Sequence, residues 1–564
     1  MKFFLATIMS LVGVFSLLNS SIAQRPNIVF IVLDDADKRL LPPNAPSFVE
    51  EPNLSRIYQE GAQFNNMYCV LPYCNPSRYS FITGFYPHSH GATDNLNPPT
   101  NTSLPNFPTI LQSAGYHNIV IGKYTNVDVN PAGFENRFCC KEVDYFTPTF
   151  YRNGVKDKII GGYTTSVIND TMVNWIANVD TPFFAWVGHI APHGAVGLLD
   201  QDKGYYHNDN IQLPPNAKYW TANYPSYTYD PLGSCNTDSA TIRNDIELEY
   251  EVMLEVDRGL GRLFDTLQKR GVLDNTMIVL CNDNGAAYGE HFLMGKQKPY
   301  EPVSNLPLYI RYPKWFDTTA SACYDNLMAS VDFAPTFISV AGLKTKPYHF
   351  QGISLQQTIF RNKGRNAVYF ETIKTGDELW PQNIGVTECP SWRAVRNVHY
   401  KYVRYHCDSL VEELFDMEND SLEMTNLVRD PSHHADLFYM RHLLDSMAHV
   451  TKDTISVDTI YGPCTLVSAG SGQRLEAYVP FEVTTSPNPA TDLINVGVIS
   501  SDIQHRSLFN MFLYNQLGIP VKSWIYLPDD GFTMNINVAA LSRGLYFLKV
   551  DHGNDSRIIP ILLQ

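Results

Sequence analysis

Ile28-Val29-Phe30-Ile31-Val32-Leu33 runs without a break into Asp34-Asp35. Four of these six apolar residues are β-branched, and an unbroken apolar run of this length suits a strand buried on both faces, as in a parallel sheet. Three more runs share the form: 119–121 before Lys123, 183–187 before His189 and His193, and 277–281 before Asp283-Asn284-Gly285. Between them lie helical patterns. Val256, Leu260, Leu263, Phe264 and Leu267 keep the spacing of one helix face, and Gly271 is placed to end it. Strands alternating with helices predict an α/β fold whose ligand crevice lies at the carboxyl ends of the strands. The four polar handovers are therefore expected to converge.

From about Ala367 the pattern shifts to short aromatic and β-branched runs such as 400–405, followed by an acidic stretch at 412–423. This predicts a catalytic α/β domain over 25–365 and a smaller antiparallel α+β subdomain over 366–460. Residues 461–480 open with Pro463 and several Gly and Ser residues and read as a linker. Strand-like pieces at 493–498, 509–514, 532–538 and 544–550, separated by turn residues, predict an all-β sandwich over 481–564.

The 564 residues are 44% apolar, 12% aromatic and 18% charged, which excludes a disordered chain, a coiled coil and a collagen-like fibre. The net charge of -15 removes the basic field that general attraction to nucleic acid or an anionic membrane requires. An anionic substrate therefore needs a local site. Lys2, the apolar stretch 3–18 and Ser21-Ile22-Ala23 before Gln24 have the form of a secretory signal over residues 1–24. The alternative is a transmembrane anchor, but the stretch is short and ends in a cleavage-like sequence. No later run approaches the roughly 20 apolar residues that span a bilayer, so no transmembrane segment is expected. Ten cysteines are too few and scattered for a disulfide-stapled mini-fold. Cys139, Cys140, Cys389, Cys407 and Cys464 are candidates for bridges, and Cys281 for a buried thiol.

Cys74-Asn75-Pro76-Ser77-Arg78 continues through Phe81-Ile82-Thr83-Gly84. A proline near a helix start, with apolar residues after it, places position 74 at a helix N-terminus, where backbone N–H groups and the macrodipole favour an anion. The stretch resembles the C-x-P-S-R signature of the type I sulfatases, whose cysteine is oxidised to formylglycine (3-oxoalanine) and whose hydrate is the nucleophile. Asp34-Asp35 and Asp283-Asn284-Gly285 resemble that family's two metal-binding pairs. Hard oxygen ligands from separated segments are what Ca2+ takes, and adjacent carboxylates are costly without a cation.

Lys296-Gln297-Lys298-Pro299-Tyr300-Glu301 resembles the family's K-x-x-x-[YF]-E element, which selects Lys296 as the sulfate-binding lysine and leaves Lys298 as a solvated neighbour. Gly122-Lys123-Tyr124 resembles its G-K-[WY] element. Many members carry a histidine two residues after that lysine, where Thr125 stands here. The glucosamine-6-sulfatases and extracellular heparan endosulfatases also lack it, and their G-K-Y-L-N element is close to residues 122–126 here. His193, in Ala191-Pro192-His193, resembles the P-H element, whose histidine contacts the sulfate or protonates the leaving oxygen, a transfer suited to an imidazole. His291, in Gly289-Glu290-His291, matches a G-E-H element and is a candidate for substrate binding or structural support. His88 and His90 are candidates for the pocket rim. Tyr73 and Asn75 depart from the smaller or more apolar residues usual beside the cysteine, and bear on its conversion. The element Glu413-Leu414-Phe415-Asp416 with Asn426-Leu427 extends the resemblance over residues 25–460.

The tail has its own resemblance. Ser486-Pro487-Asn488-Pro489, then Leu513-Tyr514-Asn515-Gln516-Leu517-Gly518, then Gly544-Leu545-Tyr546-Phe547-Leu548-Lys549-Val550 are similar to the C-terminal sorting domain of type IX secretion. A carbohydrate-binding sandwich is the competing reading.

Together these resemblances imply an alkaline-phosphatase-like sulfatase core, a large mixed sheet flanked by helices, with the smaller subdomain and the C-terminal β-sandwich appended. They imply Ca2+ held by Asp34, Asp35, Asp283 and Asn284 with the modified Cys74. Lys123 and Lys296 orient the sulfate, Arg78 supports the hydrate, and His193 is the acid. The implied partners are a sulfated polysaccharide or oligosaccharide, a formylglycine-generating maturase and the type IX machinery. The implied location is the surface or surroundings of a Gram-negative bacterium, reached through the periplasm. Algal polymers such as ulvan and the glycosaminoglycans are the candidate substrates. The rival readings are a phosphoester or phosphonate hydrolase of the same superfamily and an inactive glycan-binding protein.

Overall fold

The computed structural model describes residues 25–158, 162–194, 197–218, 238–361, 364–373, 391–406, 411–454, 481–500, 509–515, 520–526, 532–552 and 555–564. The leader at 1–24, the linker at 461–480 and Cys389, Cys407 and Cys464 lie outside these residues.

The four apolar runs become β1 (Asn27–Asp34), β3 (His117–Lys123), β7 (Phe183–Pro192) and β8 (Thr276–Asn282). Six more strands join them: β2 (Ala62–Phe64), β4 (Asn136–Cys140), β5 (Thr149–Arg152), β6 (Val155–Lys158), β9 (Leu308–Arg311) and β10 (Ala322–Tyr324). Among the described residues they form one ten-stranded sheet in the order β10-β2-β9-β8-β1-β7-β3-β4-β5-β6. The centre, β8-β1-β7-β3, is parallel throughout, and β9 adds to it antiparallel. The sheet is therefore mixed.

Alternation along β1 explains why the run is apolar at every position. Ile28, Phe30 and Val32 enter one core and Val29, Ile31 and Leu33 the other, as the period of two demands. The first core packs α1 (Cys74–Thr83) and α4 (Phe333–Val340), the latter through Phe333 and Phe337. The second packs α2 (Thr164–Asn178) and α3 (Ser239–Lys269). The predicted helical stripe is the second half of α3, which is longer because Asp238 caps it, its side chain accepting from the backbone N–H of Ala240 and Thr241. The helix stops where expected, with Gly271 at φ 66°.

The smaller sheet is antiparallel, in the order β11 (Val368–Thr372), β12 (Trp392–Arg396), β13 (Tyr400–Tyr405), β14 (Val411–Asp416). A helix follows at His434–Thr451, and Arg404 pairs with its Asp445 at 2.9 Å. The tail forms a three-stranded and a four-stranded sheet around one core that includes Ile494, Val496, Leu513, Ile536, Leu548 and Ile561. Its strands Phe481–Ser486, Pro520–Tyr526 and Asp555–Leu563 complete the two sheets beyond the expected pieces. The chain divides into two compact units, one holding the large and smaller sheets and the other holding the tail with residues 429–442. No helix of the described residues is long and apolar enough to cross a membrane. Cys139 and Cys140 are buried free thiols, which corrects the expectation of bridges there, and Cys281 is buried and free as expected.

Candidate active site

The carboxyl ends of the four central strands meet. A bulge between Val32 and Asp34 turns the end of β1, and Asp35 takes a left-handed backbone at φ 64°, a conformation aspartate tolerates better than most residues. Asp34 and Asp35 thereby both face position 74. α1 begins at Cys74 and ends at Gly84, whose φ of 72° needs a residue without Cβ. The Cys74 thiol lies 3.3 Å from Asp34 Oδ1 and 3.5 Å from Asp35 Oδ1.

Three cations answer three carboxylates. Lys123 Nζ, at the end of β3, is 2.6 Å from Asp34 Oδ2. Lys296 Nζ lies 2.8 Å from both Asp35 oxygens and 2.9 Å from Cys74 Sγ, with its loop pinned by the Gln297 N–H on the Pro72 carbonyl. The Tyr73 ring, one of the two departures beside the cysteine, faces that ammonium with its centroid 5.7 Å away. Arg78 is buried and donates to Asp283 Oδ2 at 2.7 Å and to the Lys123 carbonyl at 2.6 Å. Ser77 Oγ donates to the Asp283 carbonyl at 2.6 Å. The serine and arginine of the C-P-S-R element therefore tie α1 to the ends of β8 and β3. Arg78 reaches strand ends and carboxylates, so its geometry is that of a positioning residue.

Burial pushes the Asp34 carboxyl up, but Lys123, His193 and Arg78 together hold it well below the usual carboxylate range. Burial favours neutral Lys296, yet Asp35, the Cys74 sulfur and Asp34 hold its ammonium and raise its pKa. His193 Nε2 lies 3.4 Å from Asp35 Oδ2, and with 30% of its side chain exposed it can meet a ligand.

The donor set suits a divalent cation. Asp34, Asp35 and Asp283 supply carboxylates, and Asn284 donates its Nδ2 to Asp35 Oδ1 at 2.7 Å while its Oδ1 is buried with no hydrogen-bond partner. A buried acceptor without a donor is costly, and a cation among hard oxygens relieves it. Atoms of Asp34, Asp35, Cys74 and His193 also lie within 4.8 Å of one another.

Four expectations need correction. The helix N-terminus offers less to an anion than the signature suggests: Asn75 N–H is taken by Asn95 Oδ1 at 2.9 Å, Pro76 has none, and Ser77 N–H bonds to the Tyr73 carbonyl. The first turn therefore leaves fewer N–H groups open to an anion. His291 is buried, stacked on Tyr300 at 4.4 Å and 3.2 Å from Asn216 Nδ2, and burial lowers its pKa to about 3. These contacts are apart from the group around Cys74, so of its two expected places the structure supports the structural one. His88 pairs with Glu371 at 2.8 Å and His90 meets Ser80 Oγ at 3.2 Å, so neither forms a rim. Lys298 is buried, not solvated. Sequence reasoning passed over Asn95 and met Asn126 only as the end of the element at 122–126; the backbone and side chain of Asn75 contact both.

The chain is similar to known proteins along most of its length. The family model described as Sulfatase matches residues 26–343, that of N-sulphoglucosamine sulphohydrolase, C-terminal, matches 289–450, and that of a secretion system C-terminal sorting domain matches 486–563. An N-acetylglucosamine-6-O-sulfatase of Bacteroides thetaiotaomicron is 29% identical over 476 residues, covering 72% of this chain and 83% of the relative. The human N-acetylglucosamine-6-sulfatase is 25% identical over 467 residues, covering 72% and 80%. A solved structure of a protein in complex with its substrate D-glucosamine-2-N,6-O-disulfate superposes with TM-score 0.70 at 25% identity, covering 77% of this chain and all of the other.

Proposed function

This chain belongs to the sulfatase family, as its match over residues 26–343 shows, and is a sulfuric ester hydrolase with a secretion sorting tail; from that premise we propose a Ca2+-dependent enzyme that desulfates a sulfated glycan through formylglycine formed at Cys74. The observation that carries the proposal is Lys296 Nζ within 2.9 Å of Cys74 Sγ and 2.8 Å of Asp35, which puts a cation, the metal-type carboxylates and position 74 in mutual contact. Formylglycine, placed at position 74 by a maturase, supplies a hydroxyl nucleophile in its hydrated form. Ca2+ held by Asp34, Asp35, Asp283 and Asn284, with the modified Cys74, supplies charge neutralisation for sulfate oxygens. Lys123 and Lys296 bind the sulfate and hold it in line with position 74. Arg78 keeps Asp283 and the end of β3 in place. His193 Nε2 delivers a proton to the departing sugar oxygen.

The substrate class that best fits is a 6-sulfated glucosamine unit of a glycosaminoglycan. Two relatives named for that activity and Thr125 in place of a histidine support it. Free sulfate released from N-acetylglucosamine-6-sulfate, galactose sulfates, ulvan and carrageenan oligosaccharides, and phosphate from a phosphate analogue, tests this. The glucosamine-6-sulfate is expected to lead by at least roughly tenfold in kcat/KM. A lead for an algal saccharide reassigns the glycan, and a lead for the phosphoester reassigns the reaction.

The proposed boundaries, a catalytic region over 25–460 and a sorting domain over 481–564 joined by 461–480, give a second prediction. A chain ending near Gly472 is expected to keep its turnover of small saccharides and to fail to reach the surface of a type IX host. Truncation that weakens binding to long polymers while export continues favours a carbohydrate-binding tail.

A further inference from the structure

His193 stands at the end of a turn whose main chain is held from outside. The turn closes through the His193 N–H on the Ile190 carbonyl at 2.9 Å. The Tyr145 hydroxyl lies between two acceptors of that turn, 3.1 Å from the His193 carbonyl and 3.4 Å from the Ile190 carbonyl, a three-centre arrangement. Tyr145 is buried and is itself fixed. Its carbonyl accepts the Thr164 N–H at 2.8 Å, at the first residue of α2, and its ring stacks on Tyr163 with centroids 5.8 Å apart. Tyr163 in turn donates its hydroxyl to the Gly197 carbonyl at 2.9 Å, beyond the turn. The imidazole has less support than its backbone. Nε2 faces Asp35 Oδ2 at 3.4 Å, while Nδ1 is buried and has no hydrogen-bond partner among the described residues. A histidine that works through one ring nitrogen is commonly oriented by a partner on the other. Among the described residues no such partner serves His193, so the aim of Nε2 depends on where the main chain sets residue 193.

We propose that Tyr145 is the positioning residue of His193: its hydroxyl ties the turn 190–193 to the start of α2 and so keeps Nε2 directed at the group around Cys74. When the S–O bond of the ester breaks, its electron pair passes to the sugar oxygen, and the proton on Nε2 passes to the same oxygen. That transfer needs the donor within hydrogen-bond reach of the oxygen, and a shift of about 1 Å in the turn is enough to impair it. This assignment rests on the reading of His193 as the acid.

Tyr145→Phe keeps the ring that stacks on Tyr163 and removes only the hydroxyl. It is measured alone and combined with His193→Ala, on the sugar sulfate that the unaltered enzyme cleaves fastest, with every rate divided by the formylglycine content found by peptide mass spectrometry. Alone, Tyr145→Phe is expected to lower kcat about tenfold and to leave KM within about twofold, because a displaced acid is missed in the transition state and not in the ground state. In the His193→Ala background the same change is expected to cost less than about twofold, since that turn has no imidazole to aim. An equal loss in both backgrounds, or no loss in either, overturns the assignment. His193→Ala alone tests the reading beneath it: a loss in kcat of about 100-fold or more is expected, and an unchanged rate overturns the acid and this assignment together. A loss of that size, with Tyr145→Phe costing the same in both backgrounds, overturns Tyr145 alone.

Discussion

Cys74→Ala is expected to end sulfate release, a loss of roughly four orders of magnitude or more, in a protein that still folds. The thiol makes close polar contacts with Asp34, Asp35 and Lys296. Without it Lys296 keeps both Asp35 oxygens, and Asp34 keeps Lys123. No buried charge loses its partner, so the stability cost is that of a small cavity, on the order of 1 kcal/mol. Ion chromatography of released sulfate reads the activity and a thermal melt reads the fold. A second measurement makes the test specific to formylglycine. Peptide mass spectrometry of active protein from a host with a maturase is expected to show residue 74 as the aldehyde. Full activity with residue 74 entirely unmodified would sink the proposed nucleophile.

Much of this site was readable because its elements obey local rules. A strand buried on both faces must be apolar at every position, so β1, β3, β7 and β8 stand out as runs, and the polar residue after each run has to emerge at the sheet's edge. That logic places Asp34, Asp35, Lys123, His193 and Asp283 at one rim from the sequence alone. It could not tell what each side chain does there. Arg78 reads as a catalytic group in the signature, yet its guanidinium is used to join two strand ends. His291 follows the same polar style as His193, but it is covered by Tyr300, a contact between residues that no periodicity links. The contacts of Asn75 carry no pattern, since one amide holding two loops depends on where the chain returns, not on spacing along it. Short strands such as β2 and the edge strand β10 are equally silent, being three residues long.

Removal of divalent metal is expected to stop turnover by a factor of roughly 1,000 or more, and added Ca2+ to restore it. The choice of variant for the same site follows from the network around Asp283. Its Oδ2 holds Arg78 Nε at 2.7 Å, and its Oδ1 accepts the backbone N–H of Asn284 at 2.8 Å and of Asp35 at 3.2 Å. Asp283→Ala therefore strands a buried guanidinium and costs about 3–5 kcal/mol, so it confuses lost metal with lost fold. Asp283→Asn keeps the volume and one acceptor for Arg78 while removing the charge a divalent cation needs. It is expected to melt below the unaltered protein, because its NH2 meets donors on one side, but above Asp283→Ala, and to require far more Ca2+ for half-maximal activity, by roughly 100-fold. Calcium titration of chelator-stripped protein, read by sulfate release and by the shift in melting temperature, checks both. Full activity after exhaustive dialysis against chelator, with no calcium-dependent rise in melting temperature, rules the metal out. An unchanged calcium midpoint in Asp283→Asn would instead move the cation away from this carboxylate and onto Asp34, Asp35 and Asn284 alone.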